Sequence, residues 1–435
     1  MTASKSYAEA QGNRLWLILS AVGAAAFAAG WAGGAEPALF GVALVAAMAF
    51  FALYCRTKPS LHVFTFTFWV LAFTTAAMFH PAWFDTWGGF KLSRLNTLLI
   101  QLVMFGMGAT LSVGDFLGAL KMPKAVIIGM LLQFTIMPVT GYVIATAFGF
   151  EPEVAAGIVL IGSCSGGLAS NVMVFLARGN VALSVTMTAC STLVAPLATP
   201  LAMKLLAGRL IEISFWAMML SIINIVIIPI VGGLIANTIL ERKRSFAELL
   251  RLLVPATAAF VAGVTVATAF GQAMAGQPAT QGLATQAIWL TAISLLAGVL
   301  FNAFLAGHRD AFDRFLPIVS MAAICFILAI IAASSRELLL SMGLVLLVAA
   351  CLHNCVGYLL GYLLSGLAGL PEQDRRTVAF EVGMQNGGMG VGLAMDVLKS
   401  PAAALAPGIF GTWMNITGSM LAGWWRDRPV EARER

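Results

Sequence analysis

Charged side chains are scarce in this sequence. Of its 435 residues, 10% are Asp, Glu, Lys or Arg, whereas 60% are hydrophobic, and the mean hydropathy is +0.92. A soluble globular domain carries about 25% charged residues, so this chain cannot cover a water-facing surface. The scarcity of charge therefore excludes an ordinary soluble protein and points to a membrane protein.

Other patterns are also missing. We find no series of segments of about ten residues with alternating polarity, which a transmembrane β-barrel needs, and no polar stretch long enough for a soluble domain. Most of the six cysteines lie inside apolar runs, which favours small buried side chains over disulfides. Apolar runs of about 17–25 residues recur instead, the length of a membrane-crossing helix. The sequence predicts an all-α polytopic membrane protein.

Apolar length between charged or Gly/Pro-rich breaks predicts about fourteen spans. Their approximate limits are 14–34, 37–55, 62–82, 96–112, 124–148, 153–177, 180–206, 214–240, 250–273, 285–306, 316–335, 339–366, 377–397 and 402–425. The first resembles a secretory signal as well as a helix, and we favour a retained helix because its removal would leave the second span without a partner.

The distribution of basic residues predicts the orientation. Of the 25 Lys and Arg, 19 fall on the side of the N-terminus and the C-terminal tail. Because cytoplasmic loops carry an excess of Lys and Arg, both termini are predicted to be cytoplasmic, in a bacterial inner membrane. The net charge of +6 reflects this topology and not a nucleic-acid partner.

Two polar islands interrupt apolar spans. GSCSGGLASN covers residues 162–171, and EVGMQNGG covers residues 381–388. Hydrocarbon does not tolerate the exposed backbone groups of a broken helix, so such breaks face protein or a water-filled cavity. Freed carbonyls and side-chain oxygens there suit a cation such as sodium, and half-helix N-termini suit an anion. Two interrupted segments in different halves of a chain predict the midplane site of a transporter.

Glu381 is the most informative single residue. A carboxylate at the centre of a membrane helix costs about 2.5–3.5 kcal/mol on insertion scales, and Glu381 has no obvious Lys or Arg partner within any span. A bound cation would neutralise the carboxylate. The alternatives are a neutral carboxyl hydrogen-bonded to Gln or Asn, and a position nearer the interface, since Arg375 and Arg376 lie about two turns before it.

Two other chemistries are disfavoured. Cys351, His353 and Cys355 are spaced by two residues, and such positions point to different sides of a helix. An intramembrane enzyme would need a nucleophile–base pair or a metal cluster, and His353 lies on a span that carries none of the candidate ligands. We therefore expect no enzymatic activity.

The chain resembles the bile acid:sodium symporter family. The similarity is carried by GSCSGGLASNVMVFLARGNVALSVTMTACSTLVAPLATPL, FEVGMQNGGMGVGLAM, LLQFTIMPVTGY and GIFGTWMNITGS, within residues 62–240 and 316–425. The resemblance implies ten core helices in two inverted repeats, a panel domain and a core domain. In the core, two helix pairs unwind and cross, here the spans at 153–177 and 180–206 with those at 377–397 and 402–425.

About four helices lie outside the resemblance. We divide the chain into two extra N-terminal helices (1–61), the first repeat and the start of the second (62–240), an inserted helix pair (241–315), and the rest of the second repeat with the C-terminal tail (316–435). Packing against the panel domain and oligomerisation are both open as roles for the extra helices.

The resemblance also implies two sodium sites and a substrate site. The first sodium site comprises Ser170, Asn171, Ser184, Thr188 and Glu381. The second comprises Gln133, Glu381, the backbone of Val382 and Met384, and Gln385. The substrate position involves Gly167, Leu168, Asn386, Met414 and Asn415.

The implied function is sodium-coupled import of an organic anion by alternating access. Two sodium ions and one carboxylate leave about one positive charge, which a monoanion facing half-helix N-termini would offset. Family substrates are bile acids, pantoate, pyruvate and related carboxylates. Ser165, Leu168 and Met414 depart from the family pattern of Pro, Thr and His, so the substrate stays open. A proton-coupled carrier and a non-transporting sensor with the same fold are the alternatives.

Overall fold

The computed structural model describes residues 2–58, 61, 64–241 and 309–428, together with the single positions 262, 265 and 269. The predicted spans at 250–273 and 285–306, which form the predicted inserted pair, lie outside the described residues, as does the end of the C-terminal tail.

The first half of the described chain is almost entirely helical. Its α-helices are α1 (Thr2–Ala32), α2 (Pro37–Thr57), α3 (Phe64–Phe79), α4 (Asn96–Gly108), α5 (Val113–Lys121), α6 (Pro123–Ala147), α7 (Pro152–Ser163), α8 (Ala169–Leu176), α9 (Val181–Leu206), α10 (Phe215–Ile222) and α11 (Ile228–Glu241). Short 3₁₀ turns occupy Pro81–Phe84, Leu92–Leu95 and Ala207–Arg209, and a two-stranded hairpin joins β1 (Thr86–Trp87) to β2 (Phe90–Lys91).

The second half contributes five further helices within the described residues. They are α12 (Arg309–Ser334), α13 (Arg336–Leu367), α14 (Glu372–Gly383), α15 (Gly387–Asp396) and α16 (Pro401–Arg426). Every predicted span outside 250–306 therefore coincides with helical backbone, with ends that shift by a few residues.

The sequence explains several helix starts. Proline, which lacks a backbone donor and is tolerated in the first helical turn, opens α6, α7 and α16. Asn180, Asn386 and Ser400 precede α9, α15 and α16, and each side chain accepts a backbone N–H from the first turn. Capping matters here because the first N–H groups of a helix have no partner within it.

The helices divide into two compact units. The first comprises Met1–Asn96 and Met321–Val345, and the second comprises Thr97–Ser320 and Leu346–Arg435. In the first unit, α1, α2 and α3 pack through aromatic rings, with Phe40 lying 5.4 Å from Phe27 and 5.7 Å from Phe79 between ring centroids. Such edge-to-face pairs add to the burial of apolar surface.

In the second unit, α6, α9 and α14 bury a common apolar cluster. Met137, Met187, Val378 and Val382 are each 0% exposed within it. Because burying one such side chain is worth about 1.5–3 kcal/mol, this packing fixes the three helices that carry five of the nine residues predicted to bind sodium.

Two local features were not predicted. Helix α5 is a nine-residue segment closed by a capping box between Ser112 and Asp115, too short to register as a span. The predicted span at 214–240 contains a π-helical turn at Ile223–Ile227. There the carbonyl of Asn224 accepts a hydrogen bond from the Gln101 side chain at 3.3 Å. Such turns occur as single bulges within α-helices.

Candidate ion and substrate site

Two interrupted segments cross in the second unit. Helix α7 ends at Ser163 and α8 begins at Ala169, while α14 ends at Gly383 and α15 begins at Gly387. The two breaks pair antiparallel at Gly166 and Gln385. Hence two helix C-termini and two helix N-termini meet at one point.

Backbone hydrogen bonds hold this crossing together. The Gly167 N–H donates to the Met384 carbonyl at 3.1 Å, and the Asn386 N–H donates to the Ser165 carbonyl at 2.8 Å. A Cβ at Gly167 would come within 2.8 Å of the Gln385 carbonyl oxygen. The glycine is thus required by the close approach of two backbones.

The unwinding is confined to one helix of each predicted pair. The resemblance implied that the spans at 180–206 and 402–425 also unwind, but α9 continues through Pro196 and Pro200, and α16 continues through Pro407. A proline removes one helical hydrogen bond, and neighbouring helices in a membrane protein can cover the freed carbonyl. Here the Ala403 carbonyl, four residues before Pro407, packs directly against Gly157 of α7.

Glu381 lies at the centre of the site. Its side chain is 0% exposed, two residues before the end of α14. Three hydroxyls donate to it, from Ser170 at 2.5 Å, Ser184 at 2.6 Å and Thr188 at 2.9 Å. Among the described residues, no Lys or Arg forms an ion pair with this carboxyl. The carboxylate therefore has hydroxyl partners but no counter-charge from the described chain.

The structure brings together all five residues predicted for the first sodium site, which we call the first cluster. Ser184 and Thr188 lie one turn apart on α9, and Ser170 and Asn171 lie in the first turn of α8. The Ser184 hydroxyl lies 2.7 Å from the Asn171 side-chain oxygen as well as close to Glu381. Residues from two helices thus direct hydroxyl oxygens at one carboxylate on a third.

The second cluster comprises Gln133, Val382, Met384 and Gln385. Gln133 is 0% exposed on α6, and its side-chain nitrogen lies 3.4 Å from the Cys164 carbonyl and 3.5 Å from the Gln385 side-chain oxygen. Gln385 donates to the Val382 carbonyl at 2.6 Å. The Gln133 side-chain oxygen has no hydrogen-bond partner, which is costly for a buried acceptor.

Comparison with known proteins identifies the family. A family model described as the sodium bile acid symporter family matches residues 97–277. An uncharacterized sodium-dependent transporter of Bacillus subtilis is 34% identical over 361 residues, which cover 83% of this chain and 90% of that protein. The chain belongs to the sodium bile acid symporter family. The human ileal sodium/bile acid cotransporter is 30% identical over 301 residues, which cover 68% of this chain and 67% of that cotransporter.

Membership of the sodium bile acid symporter family agrees with the helices themselves. Within the described residues, seven helices are long and apolar enough to cross a membrane, and three shorter apolar helices accompany them. The chain is an integral membrane protein, and the family and the named relatives are transporters, not enzymes.

The residues predicted to bind substrate do not all lie at the crossing. Gly167 and Asn386 form part of the crossing, and Leu168 is half-buried just before α8. Met414 is 3% exposed, and its carbonyl accepts from the Tyr358 hydroxyl at 3.3 Å. The Asn415 amide donates to the Gly411 carbonyl of its own helix at 2.8 Å.

Several polar residues around the crossing were missed or undervalued from the sequence. The Ser191 hydroxyl accepts the Gly166 N–H at 3.2 Å. Asn354, 0% exposed on α13, donates to the Gly383 carbonyl at 2.9 Å, and its side-chain oxygen has no partner. Its neighbour His353, also buried, contacts the Met137 carbonyl at 3.0 Å. Spacing along one helix does not reveal such contacts between helices.

The chemistry of these groups fits a hard monovalent cation. Carboxylate, hydroxyl, amide and carbonyl oxygens are the ligands that such cations take. The C-terminal ends of α7 and α14 add negative partial charge at the crossing, and the unpartnered Gln133 oxygen is directed into buried space. Glu381, Ser170, Ser184 and Thr188 offer such oxygens in the first cluster, and Gln133 with the Val382 and Met384 carbonyls offers them in the second.

Proposed function

We propose that this protein is a sodium-coupled symporter that imports an organic anion by alternating access. The observation that carries the proposal is the environment of Glu381, which is fully buried, accepts three hydroxyls and has no cationic side-chain partner among the described residues. A bound sodium ion would neutralise this charge. The names of the relatives, one a sodium-dependent transporter and one a sodium/bile acid cotransporter, support the same coupling ion.

The two clusters support a stoichiometry of two sodium ions. Glu381 contacts the first cluster directly, and the second lies at the break that follows it on α14. One carboxylate supplies charge to both, so occupancy of one cluster is expected to influence the other. Binding of substrate and ions would then favour one access state over another.

The anion is argued from the helix N-termini. Helices α8 and α15 both begin at the crossing, and helix N-termini carry positive partial charge. Two sodium ions beside one carboxylate leave about one positive charge for a monoanion to offset. The apolar side chains of Leu168 and Met414 favour an organic acid with apolar surface, from a small carboxylate to a bile-acid-like molecule.

The antiparallel pairing of the two breaks supports the inverted-repeat architecture with ten core helices. In that architecture residues 62–240 hold the first repeat and the start of the second, and residues 316–435 hold the rest of the second. Transporters with such repeats bind substrate near the membrane midplane. The excess of Lys and Arg on one side supports an inner-membrane protein with both termini in the cytoplasm.

Uptake into proteoliposomes tests the proposal. Labelled carboxylates should accumulate when sodium is present outside, and choline or lithium should not replace it. Glu381→Gln should abolish uptake, whereas Glu151→Gln, the same change at an exposed position before α7, should not. Normal sodium-driven uptake by the Glu381 variant would refute the mechanism, and uptake that follows a proton gradient without sodium would favour the proton-coupled alternative.

A further inference from the structure

Helices α14 and α9 face each other with two rows of oxygen-bearing side chains. On α14 the row is Asp374, Thr377 and Glu381, at spacings of three and four residues. On α9 and at its cap the row is Asn180, Ser184 and Thr188, at spacings of four. Residues three or four apart lie on one side of a helix. We call these six residues the oxygen file.

Direct hydrogen bonds connect the two rows at each level. The Asn180 amide donates to Asp374 at 2.9 Å, and the Asn180 N–H donates to the Thr377 hydroxyl oxygen at 2.8 Å. One turn further into the molecule, Ser184 and Thr188 donate to Glu381. Hydrogen bonds therefore join the two rows at both ends of the oxygen file, at Asp374 and Thr377 and again at Glu381.

Apolar side chains surround this file. Leu183, Met187 and Val378, which neighbour its members in sequence, are 0% exposed in the apolar cluster shared by α6, α9 and α14. Thr377 itself is 0% exposed. A Cβ at Gly179 would come within 2.9 Å of the Thr377 hydroxyl, so a larger residue there would crowd the file.

The charges at the outer end favour a cation. Asp374 forms no ion pair with any Lys or Arg of the described chain, whereas its neighbours are engaged elsewhere. Arg376 bonds to Glu372 and to the Ala177 carbonyl, and Arg375 lies over the Tyr362 ring. The outer end of the file thus presents a carboxylate, with the adjacent guanidinium groups held by other partners.

We propose that the oxygen file is the path along which a sodium ion leaves the first cluster for the membrane surface at Asp374. This inference rests on the proposed sodium coupling and adds a route to it. Thr377 and Asn180 supply the oxygens that replace water as the ion passes the apolar cluster, and Asp374 attracts it at the outer end. The Lys and Arg distribution predicts that this end faces the cytoplasm.

Thiol accessibility tests the path with sodium and small reagents alone. In detergent-solubilised protein, Thr377→Cys is treated with a cationic or an anionic methanethiosulfonate, and modification is measured at that residue by peptide mass spectrometry. We expect the cationic reagent to react at least about tenfold faster, because the file stabilises positive charge, and sodium chloride to slow it relative to choline chloride. Val378→Cys, the next residue but within the apolar cluster, should stay unmodified.

No reaction at position 377, or equal rates for both reagents, would overturn the path. A second pair of variants covers the case in which Thr377→Cys does not fold. Thr377→Val removes the hydroxyl at constant volume and should slow sodium release by about tenfold. Release is measured by tryptophan fluorescence after rapid dilution of the protein into choline chloride. Thr377→Ser should restore most of the rate.

Sodium binding to the unaltered protein, measured by calorimetry, separates this inference from the proposed function. If sodium chloride added to the unaltered protein produces no heat of binding beyond a potassium control, the sodium coupling itself fails. If the unaltered protein binds sodium and Thr377→Val releases it as fast, the coupling stands, and the oxygen file is a latch between α9 and α14 and not a path.

Discussion

The two oxygen clusters at the crossing differ in how completely their polar atoms are paired. In the first cluster, each of three hydroxyls donates to Glu381 at 2.9 Å or less. In the second, Gln133 makes only long contacts of 3.4 and 3.5 Å, and its oxygen has no partner. The first cluster is held in position by its own hydrogen bonds, whereas the second keeps an unsatisfied buried acceptor.

This difference suggests different roles for the two predicted ions. Hydroxyls that donate hydrogen bonds to Glu381 keep oxygen lone pairs free for a cation. The first cluster therefore needs little rearrangement to bind an ion. An unpartnered buried acceptor costs about 1–3 kcal/mol, and an ion at the second cluster would remove that cost. We expect sodium at the second cluster to contribute more to the ion-dependent change in folding stability.

Loss of the shared carboxylate should have the largest effect, because it removes the difference between the clusters. For Glu381→Gln we expect sodium affinity at both to fall by about a thousandfold, since a unit charge 4 Å away contributes about 4 kcal/mol at an effective dielectric constant of 20. Isothermal titration calorimetry with sodium chloride measures this. A variant that kept one of two binding steps would show that the clusters do not share the carboxylate.

Removal of one hydroxyl should affect the first cluster alone. Ser184→Ala deletes the group that contacts both Glu381 and Asn171, and we expect the first ion to bind about 10–100 times more weakly. The second binding step should persist in the same titration. Ser163→Ala is the matched control, because the hydroxyl of that buried serine donates to the Val159 carbonyl of its own helix and not to Glu381.

Equal losses of sodium affinity in Ser184→Ala and Ser163→Ala would mean that general packing, and not a ligand at position 184, determines binding.

Gln133→Leu should separate ion binding from stability at the second cluster. The substitution removes an unpartnered buried oxygen, so we expect the melting temperature without sodium to be unchanged or higher, and the second ion to bind about tenfold more weakly. Differential scanning fluorimetry at several sodium concentrations measures both. Gln101→Leu is the control, because Gln101 bonds to the Asn224 carbonyl and its loss should lower stability without affecting sodium. If Gln133→Leu lowered the melting temperature without weakening sodium binding, and Gln101→Leu weakened sodium binding, the proposed difference between the two clusters would be wrong.

Asn354→Leu should have the smallest effect, again at the second cluster. Asn354 holds the Gly383 carbonyl between the carbonyls of Val382 and Met384, so its loss should loosen that backbone and weaken the second ion by about threefold, at the low end for a hydrogen bond. The slope of sodium-dependent stabilisation reports this change. Ser365→Ala, on the same helix but bonded to the Tyr362 carbonyl, should leave the slope unaltered, and an equal shift in both would assign Asn354 a packing role.

The membrane helices were predictable because each depends on a local property of the chain. Runs of apolar residues of sufficient length form helices, and the described helices match the predicted spans with the exception of the short helix α5. The breaks at Gly166 and Gln385 were also predictable, since clustered glycines and polar residues weaken a helix locally. The family resemblance implied unwinding in the spans at 180–206 and 402–425 as well, but α9 and α16 continue through their prolines. At Pro407 the freed carbonyl of Ala403 is covered by Gly157 of a neighbouring helix.

Contacts between distant residues were predictable only through family resemblance. Nothing in the spacing of Ser170, Ser184 and Glu381 relates them to one another, and the role of Asn354 and the oxygen file depend on which helices are neighbours. The short helix α5 and the π-helical turn beside Gln101 likewise produce no apolar pattern of their own.

The sequence by itself determined that this protein lies in a membrane, where its helices run and at which two points they break, because hydrophobicity and backbone freedom are properties of consecutive residues. Only the tertiary structure decided that the two breaks pair, that three hydroxyls reach Glu381 and that the Gln133 oxygen is left without a partner. Those outcomes depend on the close packing of α6, α9 and α14, which brings together residues some 200 positions apart, such as Ser184 and Glu381 with a separation of 197.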